Sequence, residues 1–280
     1  TRKESSAASD VYKRQLFVSD AGRPRPIFAG NETPDYPAFA ARIAAAARLN
    51  KPLSRKMKNL ALFDLDHTLI PLDSDYEWGQ FLARTGAVDR EAFAKRNAEF
   101  FAQYQNGTLD PHEYLEFALG TLAQFPRTQL DAWHQEFMNE VIHPVLLPSA
   151  RDLLKKHQDA GDLVAIVTAT NRFVTAPIAQ ALNVEHLLAA EPELKADGNL
   201  TGKLVGVPTS GAGKIAHTNA WLAARGLTLK DFERSYFYSD SQADIPLLSV
   251  VTHPIATNPN ALLTAHAQAQ GWPIINLFND

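Results

Sequence analysis

Two aspartates stand two positions apart in a run of otherwise apolar residues. The stretch LALFDLDHTLI, residues 60–70, is typical of a buried strand except for Asp64 and Asp66. Residues two apart along an extended chain point the same way and lie about 7 Å apart, so both carboxylates can face one site at the strand end. A D-x-D pair alone favours a simpler interpretation, in which one aspartate caps a turn and the other is solvated. We interpret His67 as a turn residue and Thr68 as a hydroxyl that stabilises the turn.

A second acidic pair follows a later apolar run. Asp240 ends SYFYSD, residues 235–240, and Asp244 lies four residues further on, in the first turn of the next predicted helix. Three or four carboxylates at one sheet edge would raise each other's pKa values unless a cation lies among them. Since the chain has no cysteine and no histidine pair at ligand spacing, these hard oxygen ligands favour Mg²⁺. The competing explanation for Asp244 is an acid that complements a helix dipole.

A glycine-rich stretch, SGAGKIAHT, carries Lys214. It differs from a nucleotide-binding P-loop, because Pro208 stands where the first glycine belongs and Ile215 where a metal-binding Ser or Thr belongs. We interpret Lys214 as a cation near the start of a helix that reaches a phosphate held by other groups. Considered alone, it would more often be a surface lysine.

Two hydroxyl residues end another apolar run. Thr168 and Thr170 close LVAIVTAT, residues 163–170, on either side of Ala169. As β-branched residues they can simply complete a strand. Beside a cluster of carboxylates and a metal, they can instead donate hydrogen bonds to phosphoryl oxygens.

The elements that position these residues alternate along the chain. Apolar runs at 60–64, 163–170, 235–240 and 253–257 predict strands, and helical patterns are found at 149–160, 172–182, 213–225, 243–250 and 259–270. This alternation predicts an α/β fold with a parallel, Rossmann-like sheet, whose functional groups gather at the carboxyl ends of the strands. Asp197-Gly198 within 193–204 indicates a hairpin.

Two regions interrupt this rhythm. Residues 73–147 contain only amphipathic helical patterns with aromatic stripes such as Phe93, Phe100 and Phe101, which we assign to helix packing in an inserted α-helical cap domain. Residues 1–56 are rich in Ser, Pro and basic residues, and we expect a poorly ordered or non-native extension with one short helix over 37–49 and the native start at Met57.

Composition excludes several classes of function. The 280 residues are 45% hydrophobic and carry a net charge of −4, without a cluster of basic residues interleaved with aromatics, so we expect no nucleic-acid partner. No run approaches the roughly 18 apolar residues that span a bilayer, so we expect no membrane partner. With no cysteine and no secretory signal, the chain fits a cytoplasmic enzyme.

The order of these motifs resembles the haloacid dehalogenase superfamily of phosphatases. The matching pieces are FDLDHT, VTAT, Lys214 and YSDSQADIPLL. The resemblance covers essentially residues 58–280, with a core domain at 57–72 and 148–280 and a cap at 73–147. The position of the cap is similar to that in the phosphoserine phosphatase-like subfamily, and the C-terminal tail resembles its histidinol-phosphatase branch.

The resemblance implies a mechanism. Asp64 would be the nucleophile that forms an aspartyl-phosphate, and Asp66 the general acid and base. Mg²⁺ would be bound by Asp64, Asp240 and the backbone carbonyl of Asp66, with Asp244 in direct or indirect support. Other candidate residues would bind the phosphate or the substrate; they are Thr168, Ala169, Lys214 and Asp73.

The substrate is expected to be a small phosphorylated metabolite. Thr168-Ala169-Thr170 replaces the Ser-Gly-Gly of phosphoserine enzymes, and Asp73 replaces their cap glutamate, so histidinol phosphate is favoured over phosphoserine. Asp73 and Asp75 are candidates to receive a substrate amine, although acids beside a turn are more often solvated caps. A phosphatidylglycerophosphatase is a further alternative, disfavoured by the lack of a membrane anchor. A phospho-accepting receiver domain is the alternative that is not an enzyme.

Overall fold

The described part of the chain comprises residues 17–20, 23–26, 57–106 and 108–278 of a computed structural model. Two short strands, β1 (Phe17–Asp20) and β2 (Arg23–Pro26), form an antiparallel pair of their own, for which the sequence pattern gives no sign. The helix predicted over residues 37–49 and most of the predicted N-terminal extension lie outside the described residues.

A seven-stranded sheet forms the centre of the fold. Its strands are β3 (Met57–Phe63), β4 (Leu163–Asn171), β5 (His186–Leu194), β6 (Leu200–Val205), β7 (Phe232–Ser239), β8 (His253–Thr257) and β9 (Ile274–Ile275). Their spatial order is β6-β5-β4-β3-β7-β8-β9, and every neighbouring pair is parallel except β5 and β6. The predicted α/β fold class with a parallel sheet is therefore confirmed.

The chain reverses its direction across the sheet between β3 and β7. From β3 it proceeds outward through β4, β5 and β6, and then returns to the other side of β3 to build β7, β8 and β9. Such a switch point leaves a crevice outside the carboxyl ends of the two central strands, where open α/β sheets bind their ligands. β3 and β7 are in register, with Phe63 opposite Tyr238, so the residues that follow these strands meet there.

Helices connect and cover the strands. Between β3 and β4 lie α1 (Ser74–Thr85), α2 (Arg90–Gln105), α3 (Pro111–Leu122) and α4 (Arg127–Phe137), and no strand occurs among the described residues of 73–147. The later helices are α5 (Pro148–Asp159), α6 (Arg172–Ala181), α7 (Ala212–Ala223), α8 (Ile245–Leu248) and α9 (Ala261–Gln270). Each of the five helical segments predicted between residues 149 and 270 therefore contains a helix.

The central strand is apolar on both faces because helices cover both sides of the sheet. Leu60 and Leu62 pack into one hydrophobic cluster, which includes residues of α7, α8 and α9. Ala61 and Phe63 pack into the other cluster, which includes residues of α1, α5 and α6. All four side chains are fully buried. This packing fixes the strand whose end carries the first acidic pair.

The edges of the sheet confirm one prediction from the sequence and add two features that the sequence pattern does not indicate. Gly198, at φ +86°, lies in the predicted turn between β5 and β6, which confirms the hairpin. The first half of β5, however, pairs in parallel with β4 before the second half pairs with β6, and the sequence pattern indicates only the hairpin half. The two-residue strand β9 is too short to show a periodicity.

Candidate active site

Asp64 immediately follows β3 at the switch point of the sheet. Its backbone N–H donates to the carbonyl oxygen of Tyr238 at 2.9 Å, which continues the pairing with β7, and the residue is only 6% exposed. Asp66 is half-buried and precedes a tight turn in which His67 adopts a left-handed conformation at φ +54°, consistent with its interpretation as a turn residue. Both aspartates line a cavity of about 410 Å³.

Lys214, in the first turn of α7, joins two of the predicted acidic residues. Its Nζ lies 2.8 Å from Asp64 Oδ1 and 2.6 Å from Asp244 Oδ2, and the lysine is 2% exposed. Burial opposes the charged ammonium, but the two carboxylates outweigh it and raise the pKa of Lys214 above its ordinary value. The lysine therefore remains a cation at the floor of the cavity. The alternative of a surface lysine is wrong.

Asp240, directly after β7, is held by Thr68 from the turn after β3. The Thr68 hydroxyl donates to Asp240 Oδ1 at 3.3 Å and accepts the Asp240 backbone N–H at 3.1 Å. The prediction that this hydroxyl stabilises its own turn is therefore wrong, because it links two strand ends that are 172 residues apart. Burial, followed by the charges of Asp64 and Asp244, raises the pKa of Asp240 well above its ordinary value.

Asp244 points into the site rather than capping a helix. It precedes α8 but makes no capping hydrogen bond there; its Oδ2 instead accepts from Ser239 Oγ at 2.7 Å as well as from Lys214. Burial raises its pKa to about 6 even though Lys214 opposes the shift. The explanation from the helix dipole alone therefore does not account for this residue.

Both carboxylate oxygens of Asp66 accept hydrogen bonds. Its Oδ1 accepts the backbone N–H of Ser74 at 2.8 Å, and its Oδ2 accepts the hydroxyl of Thr170 at 2.9 Å. Burial, followed by the charge of Asp73, raises the pKa of Asp66 to about 6, and the hydrogen bonds from Ser74 and Thr170 limit the rise. A carboxyl with a pKa near the working pH can both donate and accept a proton.

The end of β4 supplies a further edge of the cavity. Thr168 and Ala169 both line it, and Thr168 Oγ1 accepts the backbone N–H of Thr170 at 3.2 Å. Among the described residues no acceptor is bound to the Thr168 hydroxyl proton, so the hydroxyl can donate to a ligand oxygen. From the sequence, the Thr170 hydroxyl is also a candidate donor to a phosphoryl oxygen, but in the structure this hydroxyl donates to Asp66.

Asp73 begins the segment predicted to be the cap. It is the N-cap of α1, and its Oδ1 accepts the backbone N–H groups of Asp75 and Tyr76 at 3.0 and 2.9 Å. It also lines the cavity, and burial raises its pKa. The capping role and the place beside the cavity are thus both present in this one residue.

Aromatic residues of α1, α2 and α3 form an aromatic wall of the same cavity. The lining residues include Tyr76, Phe100, Phe101 and Tyr114. The sequence assigned the stripe containing Phe100 and Phe101 to helix packing alone, which is correct for Phe100 at 1% exposure but incomplete. Adjacent residues on a helix point about 100° apart, so two neighbouring aromatic side chains cover a wider face than a single line of helix packing needs. In the sequence, this adjacent pair of phenylalanines was the sign that the helix contacts a cavity as well as its neighbouring helices.

The donor set fits a hard divalent cation. Asp64 and Asp240 are buried carboxylates at neighbouring strand ends, and burial, followed by the charges of Asp64 and Asp244, raises the pKa of Asp240. A bound cation would offset both causes. Among the described residues, no group of three or more Asp, Glu or His side chains is arranged so that it could hold a metal ion by itself. Mg²⁺ usually takes only one or two carboxylates and completes its shell with water and phosphate, so the two observations agree.

Comparisons with known proteins identify the family. A model of the haloacid dehalogenase-like hydrolases matches residues 61–249. The histidinol-phosphatase of Neisseria meningitidis is 43% identical over 220 residues, which cover 79% of this chain and 99% of the relative. A protein from Mycobacterium tuberculosis named phosphoserine phosphatase is 34% identical over 263 residues, which cover 92% of this chain and 82% of the relative. A structure from Bordetella pertussis, of unknown function, is 52% identical with a TM-score of 0.76 and covers 79% of this chain and 100% of its own.

The chain belongs to the haloacid dehalogenase-like hydrolase family. The predicted resemblance and the predicted enzyme class, a phosphoric monoester hydrolase, are confirmed. The alternative of a receiver domain without enzymatic activity is therefore wrong. In the part of the chain that the structure describes, no helix has the length and apolar character needed to cross a membrane.

Proposed function

We propose that this hydrolase is a Mg²⁺-dependent phosphomonoesterase that works through an aspartyl-phosphate on Asp64, with histidinol phosphate as the favoured substrate. The observation that carries the proposal is the floor of the cavity, where Asp64 and Lys214 form a buried pair at 2.8 Å and Asp66 lines the same cavity. We propose further that residues 73–147 are the cap and that 57–72 and 148–280 are the core domain.

Two aspartates divide the chemistry. The Asp64 carboxylate attacks phosphorus, an Asp64–phosphate bond forms, and the bond from phosphorus to the alcohol oxygen breaks. Asp66 donates its proton to the departing oxygen and later takes a proton from the water that hydrolyses the aspartyl-phosphate. The pKa of Asp66, raised to about 6, supports this double role.

Lys214 and Thr168 stabilise the transferring phosphoryl group by charge and hydrogen bonding. Removing one such donor commonly costs about 3 kcal/mol of transition-state stabilisation. Asp64, Asp240 and the backbone carbonyl of Asp66 would hold Mg²⁺, with Asp244 in support. When bound, the ion offsets the repulsion between an anionic nucleophile and a phosphate dianion.

The charges around the cavity favour a leaving group without a carboxylate. Five aspartates line the cavity, namely Asp64, Asp66, Asp73, Asp75 and Asp244, and Lys214 is the only cation among the described lining residues. Lys214 is already bonded to two of these acids. Phosphoserine carries a carboxylate that would meet no free cation here, whereas histidinol phosphate carries an amine and an imidazole. The 43% identical relative named histidinol-phosphatase points the same way.

A panel of phosphomonoesters tests the proposal. We expect the highest kcat/KM for histidinol phosphate, lower values for phosphoserine and phosphatidylglycerophosphate, loss of activity in EDTA and recovery with added Mg²⁺. The 34% identical relative named phosphoserine phosphatase makes phosphoserine the second candidate. A higher kcat/KM for phosphoserine would overturn the choice of substrate, and full turnover in EDTA would remove the metal. No turnover of any phosphomonoester would refute the whole proposal.

A further inference from the structure

Asp75, in the first turn of α1, is a buried carboxylate with an unused oxygen. It lines the cavity and is 6% exposed. Its Oδ1 accepts a hydrogen bond from Nδ2 of Asn171 at 3.2 Å, and the hydroxyl of Tyr114 lies beside the carboxyl group and limits the rise of its pKa. Among the described residues, no donor has hydrogen-bond geometry to its Oδ2. A buried acceptor without a hydrogen bond lowers the stability of the folded protein, because it has lost its bonds to water. A ligand that donates a hydrogen bond to this oxygen would remove that penalty.

Among the described residues, the ionisable groups that act on Asp75 supply no positive charge. The nearby ionisable groups are Asp73, Asp66 and the hydroxyl of Tyr114, and none of them is a cation. Burial, followed by the charge of Asp73, raises the pKa of Asp75 to about 7. A positively charged group would offset the repulsion between Asp75 and Asp73, and a second anion would add to it.

The aromatic wall lines the same cavity as Asp75. The rings of Tyr76 and Phe101 are 4.9 Å apart, and those of Phe100 and Tyr114 are 5.3 Å apart. Aromatic faces attract organic cations, and the attraction grows when the site is shielded from water. A carboxylate next to such rings is a suitable environment for a protonated amine or a nitrogen heterocycle.

The neighbouring Asp73 has a different task. Its Oδ1 already accepts two backbone N–H groups as the N-cap of α1. Exchanging it would loosen the helix that carries Asp75. Of the two acids at the start of α1, Asp75 is therefore the one with an oxygen left for a ligand.

We infer that Asp75 is the specificity-determining residue for the leaving group and binds a protonated nitrogen of the substrate alcohol against the aromatic wall. The inference rests on the proposed phosphomonoesterase activity and defines its substrate class as phosphomonoesters of alcohols that carry a cationic nitrogen and no carboxylate. In this assignment the residues around Asp64 and Lys214 bind the phosphate group of the substrate, and Asp75 binds the nitrogen at the opposite end of the substrate.

Substitution of Asp75 by asparagine tests this assignment. The selectivity ratio is kcat/KM for histidinol phosphate divided by kcat/KM for p-nitrophenyl phosphate, whose leaving group has no cationic nitrogen. We expect Asp75→Asn to lower this ratio roughly tenfold or more, since a hydrogen bond to a charged group is lost. Asp75→Glu, which keeps the charge, should recover part of the ratio. Glu77 is an acid in the same helix turn, but it does not line the cavity. The control substitution Glu77→Gln should therefore leave the selectivity ratio unchanged.

An unchanged ratio in Asp75→Asn, with wild-type turnover of both substrates, would overturn the inference and leave the proposed function intact. Absence of turnover in the wild type would refute the proposed function, and the inference would fall with it.

If Asp75→Asn does not fold, inhibition of the wild type by the product alcohol tests the inference instead. Histidinol should then inhibit p-nitrophenyl phosphate hydrolysis at least tenfold more strongly than an uncharged alcohol of similar size. Equal inhibition would overturn the inference.

Discussion

Replacing Lys214 by methionine tests the electrostatic account of the cavity floor. The substitution keeps an unbranched side chain of similar length but removes the ammonium that lies 2.8 Å from Asp64 and 2.6 Å from Asp244. Both carboxylates are at least nine-tenths buried, so water does not replace the lost partner. Breaking a buried ion pair by removing one partner costs about 3–5 kcal/mol of folding free energy.

The loss should depend on pH in a defined direction. Burial raises the pKa of Asp64 and of Asp244, and Lys214 limits both rises, so its removal raises the two pKa values further. A carboxyl whose folded pKa exceeds its unfolded value contributes stability that is present at low pH and lost as the pH rises through the folded pKa. Since the pKa of Asp244 in the intact protein is about 6, the extra loss in the variant should set in above that pH.

Urea denaturation in EDTA, followed by circular dichroism at about pH 5 and about pH 8, measures both effects. Lys155→Met is the matched control, because Lys155 pairs with Asp159 at 2.8 Å on the surface, and such pairs contribute about 1 kcal/mol or less. A loss below about 1 kcal/mol for Lys214→Met at both pH values would refute the reasoning. If the loss in free energy of unfolding were larger at about pH 5 than at about pH 8, the predicted direction of the pH dependence would be wrong.

Two further substitutions probe the assigned chemistry. Asp64→Asn should leave the circular dichroism spectrum unchanged and abolish phosphate release, since an amide is a poor nucleophile towards phosphorus; more than trace turnover would contradict the role of Asp64. Thr170→Val removes the hydroxyl that donates to Asp66 Oδ2 at 2.9 Å and limits the rise of its pKa. The pH–rate profile should therefore move to higher pH, and an unmoved profile would show that Asp66 does not control it.

The acidic motifs were readable from the sequence because each one closes a strand. An apolar run that ends in Asp64 or in Asp240 gives both the element and the position of the carboxylate. In a parallel sheet the carboxyl ends share one edge, so the order of the motifs was enough to bring them together. Lys214 was recognisable only in combination with them, since its partners lie 150 and 30 residues away.

The roles of supporting residues could not be predicted in this way. The hydroxyl of Thr68 could bond locally or at a distance, and only the pairing of β3 with β7 decides that it reaches Asp240. Asn171 illustrates the same limit, because its amide oxygen caps α6 while its amide nitrogen donates to Asp75, 96 residues earlier. Short polar side chains have several possible partners, and the tertiary fold selects among them.

The reciprocal pair of hydrogen bonds between Thr68 and Asp240 has a consequence for turnover. One hydroxyl fixes the spacing between the turn after β3 and the first residue after β7 before any ligand arrives. The ordering of these two segments is thus completed during folding and does not have to be repeated in each catalytic cycle. Preorganisation of this kind keeps the reorganisation energy of a charged site small when the phosphoryl group is transferred.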